Sequence, residues 1–296
     1  MIGYRISLAE LQARVEAYKP GWLARGAALT AAIVGRGRYM NEKKPIWSEI
    51  KPVYMQLQGE SKCAYCERQL ESVELGKGEQ AVDHFRPKKR VMRWRVAAAL
   101  KDEGVTVAPP PPRSRGYHKL AYHLFNYAAA CAPCNSILKK DYFPVANGYD
   151  QSGDDPVLLA AEEPYLIYPL GDFDADPEAL IEFYGVSPKP VAAAGHDRHR
   201  ALVTIAFFQL DAVEKRKNLF RDRAMMLVAL HAVLQAANGT GTAEERREAQ
   251  GVVEAATAPN AAHTNCARSF KRLYERNPGD AATLARLVYR FLCSIS

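Results

Sequence analysis

The 296 residues suffice for one large domain or two modest ones, and 48% hydrophobic with 25% charged content is that of an ordinary globular protein rather than a disordered or fibrous one. No apolar run reaches the roughly 20 residues that span a bilayer, and the opening MIGYRISLAELQ lacks a secretory signal's basic and apolar regions. No membrane association and a cytoplasmic location are therefore expected, while a formal net charge of +7 favours polyanionic partners without selecting among them.

In chain order, apolar residues recur at helical spacing from Ser7 to about Val34 (Leu8, Leu11, Val15, Tyr18, then Leu23, Ala27, Leu29, Ile33). Ser7 suits an N-cap and Pro20 a break, which predicts two helices. Gly35 to Pro45 reads as a basic loop, and Trp47 to Gln58 as an amphipathic helix. Within Cys63 to Pro144, the stretch Val105 to Pro112 ends in four prolines and predicts an extended linker inside an insertion. Asn147 to Pro190, rich in Pro, Gly and Asp, predicts short strands or turns. A helical pattern follows from about His199 to Ala237, then a charged, solvated helix face over Ala243 to Gln250, then two helices over Ala261 to Leu292.

The chemistry concentrates between residues 63 and 140. A reducing compartment disfavours disulfides, so Cys63-Ala-Tyr-Cys66 and Cys131-Ala-Pro-Cys134 read first as metal ligands. Two such knuckles supply the four soft donors of tetrahedral zinc. The 64 residues between the pairs far exceed a compact zinc ribbon, so something is folded between them. That intervening stretch opens with Val82-Asp83-His84-Phe85-Arg86-Pro87-Lys88 in a β-prone context after Gly76-Lys77-Gly78. Neighbouring side chains in a strand face opposite ways, so Asp83 and His84 share a site only at a strand end or a distorted hairpin. Asn126 precedes the second knuckle, and Asn135 follows it, opening a helix that carries Lys139 and Lys140.

Together the two knuckles, Asp83-His84, Asn126, Asn135 and Lys139 resemble the zinc-bracketed form of the HNH endonuclease motif, over about residues 60 to 145. CAYCE, VDHFRPK, CAPCN and KKDYFP resemble more narrowly the HNH nuclease components of Septu-type and retron-associated anti-phage systems, with weaker likeness to about residue 225. Tyr127 departs from the usual leucine, and the insertion from Arg90 to Arg115 departs from the pattern altogether.

The resemblance implies an α+β protein, mainly helical, with an embedded ββα-metal HNH module stapled by a four-cysteine zinc site. Its expected regions are 1–58 (helical), 59–146 (nuclease module) and 147–296 (irregular, then helical). It further implies that Asp83 and Asn135 hold one Mg²⁺ or Mn²⁺, that His84 is the general base, and that Asn126 holds the His84 loop by hydrogen bonding. Lys139 would meet a phosphate. The substrate implied is double-stranded DNA and the partner an ATPase of a defence system.

From composition, Arg86, Lys88, Lys89, Arg90, Arg93 and Arg95 around Trp94 form an acid-free run able to track a phosphate backbone. Rivals remain open: a zinc-dependent nucleic-acid-binding module without catalysis, a rubredoxin-type iron site, and a stand-alone restriction endonuclease. His118 and His123 are expected to cap or pack, His196 and His199 to lie on the surface, and Cys266 and Cys293 to be small core residues.

Overall fold

Ser7 accepts a hydrogen bond from the Glu10 amide at 3.2 Å and starts α1 (Leu8–Tyr18), whose Leu11 and Val15, one turn apart, are buried. Gly21, at φ 76°, separates it from α2 (Trp22–Arg36), which ends on Gly37 at φ 65°, a conformation glycine takes without strain. The computed structural model describes residues 1–43 and 45–295. Lys44 of the expected basic loop and Ser296 of the expected C-terminal region lie outside the described residues. The helix expected over 47–58 comes in two pieces, a 3-10 turn (Trp47–Ile50) and α3 (Lys51–Leu57), with Pro52 near the junction, where its missing N–H is harmless.

Helix α3 packs on a two-stranded antiparallel sheet of β1 (Gln80–His84) and β2 (Tyr127–Cys131). The register sets Asp83 opposite Ala128 and His84 opposite Tyr127. Between the strands lie α4 (Ala98–Asp102) and the proline-rich segment, which has no regular structure. A π-helix, Pro133–Lys139, follows β2 directly and packs on both strands.

Downstream come a 3-10 helix (Pro156–Glu162), α5 (Pro177–Leu180) and a hairpin of β3 (Ile181–Tyr184) with β4 (Ser187–Pro190), and then α6 (Gly195–Phe207), α7 (Lys217–Ala237), α8 (Ala243–Thr257), α9 (Thr264–Arg276) and α10 (Pro278–Ile295). The architecture is thus α+β, with helices around two small sheets. The helical pattern from His199 to Ala237 divides at 208–216, because Gln209 turns left-handed at φ 51° and the Arg216 guanidinium takes the Phe208 carbonyl at 2.9 Å. Helix α8 has a capping box between Thr242 and Glu245 and buries only Ala249 and Val253, as a solvated helix should.

The three expected regions share one cluster of buried residues, from Met1 to Val288. Cys266 belongs to it, but Cys293 does not: the buried stripe of α10 runs through Ala281, Leu284, Ala285 and Val288, and helical periodicity turns Cys293 outward. Among the described residues no helix is long and apolar enough to cross a membrane.

Candidate functional site

Cys63 and Cys66 lie on the turn after α3, Cys131 ends β2, and Cys134 sits in the first turn of the π-helix. Pairing of β1 with β2 folds back the 64 residues between the knuckles, and all four thiols meet in the interior. Their sulfurs lie within 4.8 Å of one another, with Cys66 and Cys131 3.8 Å apart. A tetrahedral ion with metal–sulfur bonds of about 2.3 Å sets sulfurs about 3.8 Å apart, so donor type, number and spacing suit a structural zinc. Burial pushes the Cys63 thiol well up, whereas hydrogen bonding from Cys131 foremost holds Cys66 well down. The Cys131 amide donates to Cys63 Sγ at 3.4 Å.

Arg216 completes this shell, its Nη2 and Nη1 3.7 and 3.8 Å from Cys134 Sγ. Burial opposes the guanidinium charge, but the neighbouring Cys134 and Cys66 outweigh it and the pKa of Arg216 rises. No sequence pattern marks this arginine, 82 residues from its partner. Arg216→Met is expected to weaken zinc binding about 10- to 100-fold, read by chelator competition. An unchanged affinity would leave Arg216 only the task of capping Phe208.

Tyr65, inside the first knuckle, ties the cluster to β1. Its hydroxyl donates to Asp83 Oδ2 at 2.5 Å, and its ring stacks on Phe208 at 4.1 Å between centroids. Asp83 is buried, and Lys139 Nζ lies 3.8 Å from the same oxygen while donating to the His84 carbonyl at 3.0 Å. Asp83 Oδ1 accepts no hydrogen bond from the described residues, nor does the half-buried Asn135 side chain make one. Both offer hard oxygen donors of the kind Mg²⁺ and Mn²⁺ take.

His84, the last residue of β1, is held edge-on between Trp47 and Tyr127, at 4.7 and 5.0 Å between ring centroids. Its Nε2 lies 3.1 Å from the Ala121 carbonyl, which can only accept, so Nε2 carries the proton and Nδ1 the lone pair. Lys88 Nζ donates to Nδ1 at 3.3 Å. Burial first, and Lys88 second, hold the imidazole well below the usual histidine range, so it is neutral around pH 7. Lys88 lies over the Trp47 ring at 4.4 Å, and burial lowers its own pKa to about 8.

Asn126 is fully buried. Its Oδ1 accepts from the Arg86 amide at 2.7 Å, and its Nδ2 donates to the Arg86 and Leu120 carbonyls at 3.0 and 3.1 Å. One amide thus pins the chain two residues beyond His84.

Two cations expected from sequence to meet phosphates lie inside instead. Arg86, 2% exposed, pairs with Glu162 at 3.1 Å against the Phe143 and Tyr117 rings, and Lys139 is fully buried on Asp83. A charge buried this deeply needs an internal partner, and each has one. Lys89 and Arg90 stay on the surface, with Arg90 paired to Asp141 at 2.9 Å. Among the expected bystanders, His118 is buried against the Gly116 carbonyl and His123 caps the Phe125 amide. His196 is half-buried against Tyr165, and His199 approaches the Glu103 carbonyl at 2.9 Å, so neither is a free surface group.

Fold and cluster together define an α+β protein in which a strand pair and its following helix are bracketed by four cysteines fit to hold zinc. The chain is similar to the Septu protein PtuB of Bacillus mycoides (strain KBAB4), 27% identical over 161 residues, which cover 54% of this chain and 48% of the relative. The chain therefore spans about half the length of the curated relative it matches. No family model matches, and no solved structure matches.

Proposed function

We propose that the chain is a metal-dependent endonuclease of HNH type that hydrolyses DNA phosphodiester bonds as an effector of anti-phage defence, acting with a partner ATPase. The observation that carries this reading is His84. A neutral imidazole is fixed at a strand end by Ala121, Trp47 and Tyr127, with only Nδ1 left to take a proton, and the residue before it in the strand is the buried carboxylate of Asp83. Similarity to a Septu protein supports the defence context and, through it, the partner.

On this reading residues 59–146 form the nuclease module. Asp83 and Asn135 would hold one Mg²⁺ or Mn²⁺, and the chemistry such an ion would supply is polarisation of the scissile phosphate and stabilisation of the leaving oxygen. His84 Nδ1 takes the proton of the attacking water, and Lys88, its present donor, turns to the incoming phosphate. Asn126 keeps the His84 loop in place, and Lys139 neutralises Asp83 and fixes the His84 carbonyl. Lys89 and Arg90 contact the backbone of the substrate.

The engagement of Asp83 by both Tyr65 and Lys139 favours a second reading, a zinc-dependent nucleic-acid-binding module without catalysis. Plasmid cleavage by the purified chain with Mg²⁺ or Mn²⁺, with and without EDTA and with its partner supplied, separates the two. Nicking that requires the added ion supports the nuclease. DNA binding without cleavage under every condition would leave the binding module.

A further inference from the structure

The insertion between β1 and β2 forms a feature that the Asp83–His84 site does not use. Residues 93–96 and 104–108, joined through α4, line an open groove of about 740 Å³. Both walls are strapped to the chain leaving the π-helix: the Met92 amide donates to the Asp141 carbonyl at 2.8 Å, and the Ala108 amide to the Val145 carbonyl at 2.9 Å. Arg93, Arg95 and Lys101 line the groove, and no acidic side chain does. Among the described residues, none of these three side chains makes an ion pair or a hydrogen bond, whereas Arg90 just upstream is paired.

Exposure alternates along this wall: Arg93 and Arg95 are exposed, Trp94 and Val96 half-buried. The two arginines therefore leave the same side of an extended chain, about 7 Å apart. Trp94 lines the groove with its ring braced on Phe207 at 5.5 Å. Three unpaired cations held together repel one another unless a polyanion answers them. A cationic track beside a braced aromatic ring is how a strand is held through its backbone charge and the face of a base.

We propose that this groove grips the phosphodiester backbone of a DNA strand, with Arg93, Arg95 and Lys101 facing phosphates and Trp94 meeting a base. The proposal rests on the nuclease reading for DNA as substrate, and it names the part of the chain that holds the strand outside the Asp83–His84 site.

The test uses the full chain carrying His84→Ala, so that nothing is cut. It is titrated with a short fluorescein-labelled single strand, and with its duplex, over a series of salt concentrations. Adding Arg93→Ala, Arg95→Ala and Lys101→Ala should flatten the slope of log K against log salt by roughly 0.7 per lost contact on the single strand and roughly 0.9 on the duplex. Removing the same charge at Arg247, Arg276 and Arg290, exposed on the C-terminal helices, should leave the slope unchanged. Trp94→Ala should weaken single-strand binding by roughly 5- to 150-fold, the equivalent of one stacked base.

A triple groove variant that keeps the parent's slope, a control that loses as much, or a parent that binds neither probe would overturn the proposal. The cleavage assay separates the two claims. Cleavage with an unchanged slope removes the groove alone, and a flattened slope without cleavage removes the nuclease and leaves the groove.

Discussion

Replacing His84 by alanine should lower DNA cleavage by roughly 10²- to 10⁴-fold, the range a positioned general base contributes. The loss should fall on the rate of strand scission, with DNA binding held, because binding is assigned to Lys89, Arg90 and the groove. His84 fills space between Trp47 and Tyr127, so truncation also leaves a void, and zinc content and melting temperature must be followed alongside. His84→Gln is the second arm: it restores volume and a donor towards Ala121 but supplies no base, so it should be as inactive as the alanine variant. Cleavage persisting within a few-fold of the parent in a folded His84→Gln chain would sink the assignment of the base. The comparison is informative because the imidazole is held neutral by burial and by Lys88, with its lone pair on Nδ1.

Replacing Cys66 and Cys131 together by serine should abolish zinc binding and, with it, the native state. A structural zinc site contributes on the order of 10 to 16 kcal/mol in small zinc peptides, as much as the whole stability of a typical domain, on the order of 5 to 15 kcal/mol. The four cysteines are buried, and among the described residues they are the one group of His, Cys, Asp or Glu side chains gathered closely enough to hold a metal ion. Metal analysis should fall from one zinc per chain to none, with loss of the cooperative thermal transition or a shift of well over ten degrees, taking roughly 2 to 4 °C per kcal/mol for a chain of this size. A double variant that melts with its parent would show that the thiols pack without metal. Iron in place of zinc would appear in the same metal analysis.

The sequence carried what depends on local spacing and missed what depends on long-range meeting. Both cysteine pairs, the strand-end position of Asp83-His84, and the cap at Ser7 are legible because each is fixed within a few residues. Arg86 reads as a phosphate contact because a cation in a basic run looks exposed, and Lys139 because the resembled motif puts a lysine there. Their burial is decided by Glu162, 76 residues away, and by Asp83 across the sheet. Tyr65 and Arg216 are invisible for the same reason: one is an ordinary aromatic between two cysteines, the other the middle cation of Lys215-Arg216-Lys217 at a helix start. The break at 208–216 was hidden because the apolar spacing continues through Phe208 and Leu210 while Gln209 reverses the backbone. Cys293 reads as a core residue but is exposed, because an apolar neighbourhood in sequence does not say which way a helix faces.

Tyr65 sits between two thiols that are synthesised first, yet the cluster holding it is completed only by Cys131 and Cys134. At roughly 5 to 20 residues per second, the 64 residues between the pairs keep the ribosome busy for roughly 3 to 13 s. During that interval the first knuckle has no partner thiols, β1 has no β2, and the hydroxyl that steadies Asp83 has no fixed seat. The seat of Asp83 is thereby withheld until the second knuckle has been made, and closure of the four-cysteine cluster becomes the event that dates the chain's maturity.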